Sequence, residues 1–210
     1  MAYERSPWLS VRGALQDLSP TPVDVFVDLG SGKGKVLLIA GRLPFGRVVG
    51  VEINPELSCS ATRNIQRSRN RLRAKEVRSV TANVLEWVIP DDSSVIFMFN
   101  PFIGQTFRTL MRRIFDSYDR KPRILYIVYL YPWEHDWLVS TDRVVINEVR
   151  PAQWSTLPRW WLSGKVILTY RVVGNASRVS PPRPRRWRPG SQQAMSHWSG
   201  TNGHRFGEGR

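Results

Sequence analysis

The stretch VFVDLGSGKGKV, residues 25–36, sets a carboxylate, Asp28, directly before three alternate glycines, Gly30, Gly32 and Gly34. Glycines in that pattern let the backbone pass close to a ligand and take positive φ where a tight turn needs it. A carboxylate aimed into the same loop repels a pyrophosphate and suits a cationic ligand. A second carboxylate, Glu52, closes the apolar run RVVGVE, 22 residues after Gly30. An acid so placed accepts both hydrogen bonds from a ribose diol.

Two ligand chemistries compete for such a loop. The dinucleotide pattern sets its third glycine where this chain has Lys35; here the glycine falls at Gly34. S-adenosylmethionine carries an ammonium and a sulfonium and no phosphate, so it tolerates Asp28 where a dinucleotide does not. Glu52 fits either ligand, and the first two features favour S-adenosylmethionine over a nicotinamide cofactor.

The elements that must position these residues follow from periodicity. Residues 7–18 space Leu9, Val11, Leu15 and Leu18 as a helix does. Residues 23–29 are β-branched and apolar, as a buried parallel strand is. Helical segments are expected at 33–42, from Pro55 to about Leu72, and at 104–117. Strands are expected at 47–53, 77–84, 94–100, 124–131, 144–149 and 165–172. Strand and helix alternate for five strands, and a hairpin closes the chain. The expected fold is α/β, a doubly wound, mostly parallel, seven-stranded Rossmann-like sheet with an antiparallel edge hairpin. The glycine loop then sits in the turn after the first strand, where the crevice of such a sheet receives its ligand.

With DLGSGKG in that turn and VVGVEINPEL after it, the chain resembles the class I, Rossmann-fold S-adenosylmethionine-dependent methyltransferases over about residues 20–173. TANVLEW follows the third strand, and FMFNPF ends the fourth, where that family's catalytic motif falls. The VDLGSG opening and an Asn-containing fourth motif ending in Phe are similar to the Rossmann-type histone-lysine methyltransferases. The YxxSPW start and the NPF motif are similar to small bacterial methyltransferases of unassigned substrate. The resemblance implies that Asp28, Gly30, Ser31 and Gly32 line the methionine half of S-adenosyl-L-methionine. It also implies that Glu52 holds the ribose, that Ile53 packs on the adenine, that Asn83 meets the adenine amino group and that Val84 offers its backbone N–H to the ring. Asn83 stands where the family often has an acid; its amide oxygen can accept the same hydrogen bond.

By the same resemblance the catalytic set is Asn100, Pro101 and Phe102. Methyl transfer is an in-line displacement at a sulfonium carbon, so the enzyme mainly positions the nucleophile and excludes water. Asn100 can accept a hydrogen bond from an amine or amide N–H and aim its lone pair. Pro101 stiffens the turn and Phe102 offers a face to a planar or cationic group. The N6-adenine and glutamine methyltransferases use a related motif with two prolines; this chain has one.

Further candidates surround that set. Tyr3 and Ser6 precede the first helix and could cover the ligand. Glu134 and His135 follow the fifth strand, where either could act as a base, although a loop histidine is expected to be exposed. Trp154, Trp160 and Trp161 interrupt the final hairpin, where packing over the sheet edge is expected. No His, Asp or Glu set has metal-ligand spacing, and the single Cys59 permits no internal disulfide, so no metal is expected.

The net charge of +14 is uneven: +6 lies from Gly174 onward and +8 before it. The segment from 174 to 210 is rich in Pro, Gly, Ser and Arg and poor in aliphatic residues, so it is expected to be a disordered basic tail beside a domain of residues 1–173. The tail could touch nucleic acid. No long uncharged apolar run exists, so no membrane partner is expected. The charged start does not suit export, and a cytoplasmic location is the expectation. The favoured acceptor is a nitrogen on a protein or small molecule; the alternatives are a nucleic-acid-binding or nucleic-acid-modifying protein and a nicotinamide-dependent oxidoreductase.

Overall fold

The computed structural model describes residues 7–100, 102–151 and 166–174. The expectations for Tyr3, Ser6, Pro101, Trp154, Trp160 and Trp161, and for the tail from residue 175 on, fall outside the described residues.

Helix α1 (Pro7–Asp17) precedes β1 (Val25–Leu29), α2 (Lys35–Gly41), β2 (Arg47–Glu52) and α3 (Pro55–Ser68). A 3₁₀ turn at Arg69–Arg71 leads to β3 (Glu76–Thr81). Then come β4 (Val95–Phe99), α4 (Gly104–Arg120), β5 (Tyr126–Leu130), α5 (His135–Ser140), β6 (Val144–Pro151) and β7 (Val166–Val172). The sheet has seven strands in the order β3-β2-β1-β4-β5-β7-β6. Pairing is parallel from β3 through β5, while β7 lies antiparallel between β5 and β6. This is the expected doubly wound sheet with an antiparallel edge.

Local chemistry explains the elements. Pro55 opens α3, and Asn54 caps it by accepting from the backbone N–H of Glu56 at 2.9 Å and of Leu57 at 3.2 Å. Helix α4 buries Phe107, Leu110, Met111, Ile114 and Phe115 along one stripe. β1 is buried along its whole length, as a central parallel strand is, whereas the edge strand β3 is half exposed. Two apolar layers result: α1, α2 and α3 cover one face of the sheet around Phe26, Val48 and Phe97, and α4 and α5 cover the other around Val27, Met98 and Tyr129. The short α5 has no counterpart in the sequence expectation, which reads its region as a loop.

Gly50 on β2 is where these layers meet the glycine loop. A Cβ there would lie 2.6 Å from Leu37 Cδ1, 2.6 Å from Ser31 Oγ and 2.7 Å from Ser31 Cβ. Gly50→Ala must therefore push the loop off the sheet. We expect a loss of about 1–3 kcal/mol, seen as a melting temperature lower by roughly 3–10 °C. A wild-type melting temperature would mean that the loop yields without strain.

Candidate functional site

Strand pairing assembles the site. Asp28 lies level with Gly50, so Asp28 and Glu52 share one face of the sheet at the carboxyl ends of adjacent strands. Both are buried, at 2% and 8% exposure. Burial pushes the Asp28 carboxyl up to about 8, and the nearby charge of Glu52 adds to the effect.

Glu52 organises the loop. Its Oε2 accepts from the Gly32 backbone N–H at 2.8 Å and its Oε1 from the Asn54 N–H at 2.9 Å. A carboxylate has about four lone-pair sites, so each oxygen keeps one for a ligand hydroxyl. The N–H groups of Gly30 and Ser31 both bond the Val51 carbonyl, at 2.9 and 3.1 Å. Gly30, Gly32 and Gly34 take φ of 83°, 52° and 77°, the left-handed region that an L side chain resists.

Two features of the loop fit a bound group. The Ser31 hydroxyl is buried with no hydrogen-bond partner among the described residues. A Cβ at Gly32 would meet nothing within 4 Å, so bare backbone faces open space there. A buried carboxyl, a second carboxylate with spare lone pairs, an unpartnered hydroxyl and a bare glycine together suit a cationic ligand that carries a diol.

The outer residues are placed less uniformly. Ile53 is 68% exposed just past β2, an apolar face with room for a flat ring. Asn83 follows β3, and its amide holds its own turn: Oδ1 accepts from the Leu85 N–H at 3.0 Å and Nδ2 donates to Glu86 Oε1 at 2.9 Å. Only the second lone pair of Oδ1 remains for a ligand amino group. The Val84 side chain is buried in the core beside α4.

Asn100 directly follows β4, across the switch point from the glycine loop. The β1–β4 ladder ends with Leu29 level with Met98, so the glycine loop and the turn at Asn100 leave the same carboxyl edge from two adjacent strands. Asn100 takes φ 40°, a left-handed conformation that asparagine tolerates better than most residues. Its neighbour at the end of β5, Tyr131, takes φ 53°. The hydroxyl of Tyr129 donates to Asn100 Oδ1 at 3.2 Å, while the backbone N–H of Glu134 donates to the Tyr129 oxygen. Burial outweighs that bond and pushes Tyr129 up to about 12, so its proton stays in place at neutral pH. Tyr129 itself is stacked on Phe107 with ring centroids 5.4 Å apart. The Asn100 amide is thus pinned from behind by a rigid phenol that sequence reading leaves among the core residues.

Phe102 packs, half buried, on the α4-side core, so its face is less open than expected. A different aromatic set stands over the edge: Phe99 touches Trp8 edge-on at 5.9 Å and Tyr131 at 5.3 Å, and Lys35 Nζ lies 4.3 Å over the Trp8 ring. Glu134 is a structural tie, with Oε1 accepting from the Gly104 N–H at 2.5 Å. His135 departs from expectation. It is buried at 8% exposure, with Nδ1 2.7 Å from the Tyr170 hydroxyl, because α5 folds its first turn onto β7. Burial lowers its pKa.

A cavity of about 450 Å³ opens at the opposite, amino-terminal edge of the sheet, bordered by Asp91, Asp92, Ser93 and Arg123. Asp91 pairs with Arg120 and Asp92 with Arg47, so these two acids are already compensated. Among the described residues no group of His, Cys, Asp and Glu could hold a metal ion. No helix among them is long and apolar enough to cross a membrane.

No model of a protein family matches the chain, and no curated protein does. Solved structures do. The chain is similar to an RNA methyltransferase from Salinibacter ruber in complex with S-adenosyl-L-homocysteine, at 19% identity and a TM-score of 0.54, covering 86% of this chain and 97% of that one. It is similar to geranyl diphosphate C-methyltransferase from Streptomyces coelicolor A3(2), at 15% identity and 0.55, covering 79% and 80%. It is also similar to magnesium protoporphyrin IX methyltransferase from Synechocystis PCC 6803 with bound S-adenosylmethionine, at 13% identity and 0.54, covering 79% of each chain. The chain has the fold of the class I methyltransferases. These likenesses do not reach the narrower resemblance to histone-lysine enzymes.

Proposed function

We propose that the chain is an S-adenosyl-L-methionine-dependent methyltransferase that transfers the methyl group to a nitrogen of its acceptor. One observation carries this reading: Asn100, its amide pinned by Tyr129, stands across the switch point from the Asp28–Glu52 loop. When bound, the cofactor supplies an electrophilic methyl group on a sulfonium whose departure as a neutral thioether is favourable. The chain's residues do the rest. Asp28 and the Ser31 hydroxyl receive the polar methionine end, Glu52 accepts from the ribose hydroxyls, and Ile53 covers the adenine. The free lone pair of Asn100 Oδ1 accepts an acceptor N–H, which turns the nitrogen lone pair toward the methyl carbon. Phe99, Tyr131 and Trp8 keep water from that edge.

The similar folds act on an RNA, a prenyl diphosphate and a porphyrin, so the fold alone leaves the acceptor open. A protein amine or a small molecule is the sequence expectation; the charge of the folded body favours a polyanion. The test is transfer of labelled methyl from S-adenosylmethionine into cell extract separated into protein, nucleic acid and metabolite fractions. Label in one fraction, on nitrogen, is expected. Label on carbon or oxygen would overturn the nitrogen assignment.

The Asp28 carboxyl makes cofactor binding pH-dependent. Raised to about 8, it is largely protonated at neutral pH in the free protein. A cationic ligand favours the ionised form, so binding releases a proton until the pH passes the folded pKa. Affinity should therefore rise from pH 6 to pH 8, by up to about tenfold per unit, and level off above. Asp28→Asn should bind more weakly and lose this slope. Calorimetry at both pH values, in buffers of different ionisation enthalpy, checks it; a flat wild-type profile would show Asp28 already ionised.

A further inference from the structure

Residues 1–173 carry a net charge of +8, and six of their basic residues fall on one stretch that holds no acid. Between Glu56 and Glu76 there is no acidic residue, but there are Arg63, Arg67, Arg69, Arg71, Arg73 and Lys75. All six are exposed. They descend the solvent side of α3, cross the 3₁₀ turn and reach the start of β3, at the edge of the sheet. Among the described residues none of the six forms an ion pair, although Arg47, Arg78, Arg120, Arg143 and Arg150 all do. Arg63 and Arg67 sit one helical turn apart, an arrangement of like charges that works against the helix.

We propose that this ridge holds the phosphate backbone of an unpaired RNA strand that delivers a base to Asn100, so that RNA is the acceptor of the methyl-transfer reading on which this rests. The chemistry of the ridge selects the partner. No large apolar side chain between residues 57 and 78 is exposed. The ridge therefore lacks the apolar centre of a protein interface, the apolar face of a membrane-binding helix and the wedge that opens a duplex. Unpaired bases that can be splayed from their backbone are the ordinary state of RNA loops. Arginine, five of the six cations, engages phosphate in bidentate fashion. The geometry also spans the distance. β3 has six residues, Glu76–Thr81, and so is ~20 Å long. Asn100 lies three strands across the sheet from β3, ~14 Å at ~4.8 Å per strand, so an RNA strand of about ten nucleotides at ~3.4 Å each covers both legs from the ridge to Asn100.

The test uses the full chain with tail residues Arg183, Arg185, Arg186 and Arg188 changed to serine, so that tail charge does not mask the ridge. Ridge charge is reversed by Arg67→Glu, Arg71→Glu and Arg73→Glu, all exposed. Binding of a labelled oligouridylate is followed across salt concentrations. The reversal should weaken it at least tenfold and flatten the slope of log affinity against log salt by ~2, at ~0.7 per lost contact. S-adenosylmethionine affinity and melting temperature should not change. Methyl label should appear in the RNA fraction of extract and fall with the reversal. Unchanged RNA affinity and slope would overturn the ridge, as would loss of binding to phosphatidylglycerol vesicles with RNA binding intact. Label in DNA, protein or metabolites would overturn the RNA assignment. Failure to bind S-adenosylmethionine at all would instead overturn the methyltransferase reading and leave the ridge to stand on RNA binding alone.

Discussion

Glu52→Ala should weaken S-adenosylmethionine binding by about 10–100-fold or more, the largest effect of any single change in the cofactor half of the site. The side chain has two tasks. It accepts from Gly32 at 2.8 Å and from Asn54 at 2.9 Å, which joins the glycine loop to the start of α3. It also offers its spare lone pairs to the ribose hydroxyls. Charge-assisted bonds of that kind contribute roughly 1.5–3 kcal/mol each. One relief works the other way: removing the Glu52 charge eases the ionisation of Asp28, because that charge is the second cause of its raised pKa. Burial is the first cause and remains, so the relief is partial. Glu52→Gln separates the two tasks, since the amide oxygen keeps one backbone bond without the charge, and should fall between alanine and wild type. If Glu52→Ala binds the cofactor like wild type, the acid does not hold the ribose.

Asn100 should act in the transfer step and not in cofactor binding. The informative variant is Asn100→Gly, because residue 100 has φ 40°. Glycine keeps that backbone without strain, whereas alanine would add roughly 1–2 kcal/mol of it. Loss of one aligned hydrogen bond in the transition state should slow transfer by roughly 10²-fold. Affinity for S-adenosylmethionine should move by less than about 1 kcal/mol, since the bond lost is to Tyr129 and to the acceptor. Tyr129→Phe leaves the amide in place but unpinned and should slow transfer less, by about tenfold. Equal transfer by Asn100→Gly would make the turn after β4 a structural feature; loss of cofactor binding would put Asn100 in the adenosine half.

What could be read from the sequence was what the backbone demands. Alternate glycines after an apolar run, with an acid before them and another at the next strand end, mark a tight loop at a sheet edge, and that loop formed. The mostly parallel sheet and its antiparallel edge followed from the alternation of periods. The partners of Asn100 could not be read, because they depend on strand register. Tyr129 lies in the apolar run YIVYL and reads as core, yet the pairing of β4 with β5 brings its hydroxyl to Asn100. The same register gathers Phe99 and Tyr131 with Trp8, residues far apart in the chain. Helix α5 has six residues, too few for a helical period to show, so His135 reads as a loop residue although it is buried on Tyr170. The positive charge of residues 1–173 was visible as composition, but only the fold shows that six of its cations face solvent along one ridge with no ion pair among the described residues.

The most direct test of the account is a pair of calorimetric titrations, S-adenosylmethionine and NADH, against the same protein. Both ligands carry a ribose diol from which Glu52 could accept, so at pH 9, where Asp28 is ionised, the charge of the loop and its glycine register distinguish them. The account predicts a saturable one-to-one isotherm with S-adenosylmethionine, weakened in Glu52→Ala, and no binding of NADH beside the buried Asp28. Saturable binding of NADH with none of S-adenosylmethionine would contradict it and make the loop a dinucleotide site.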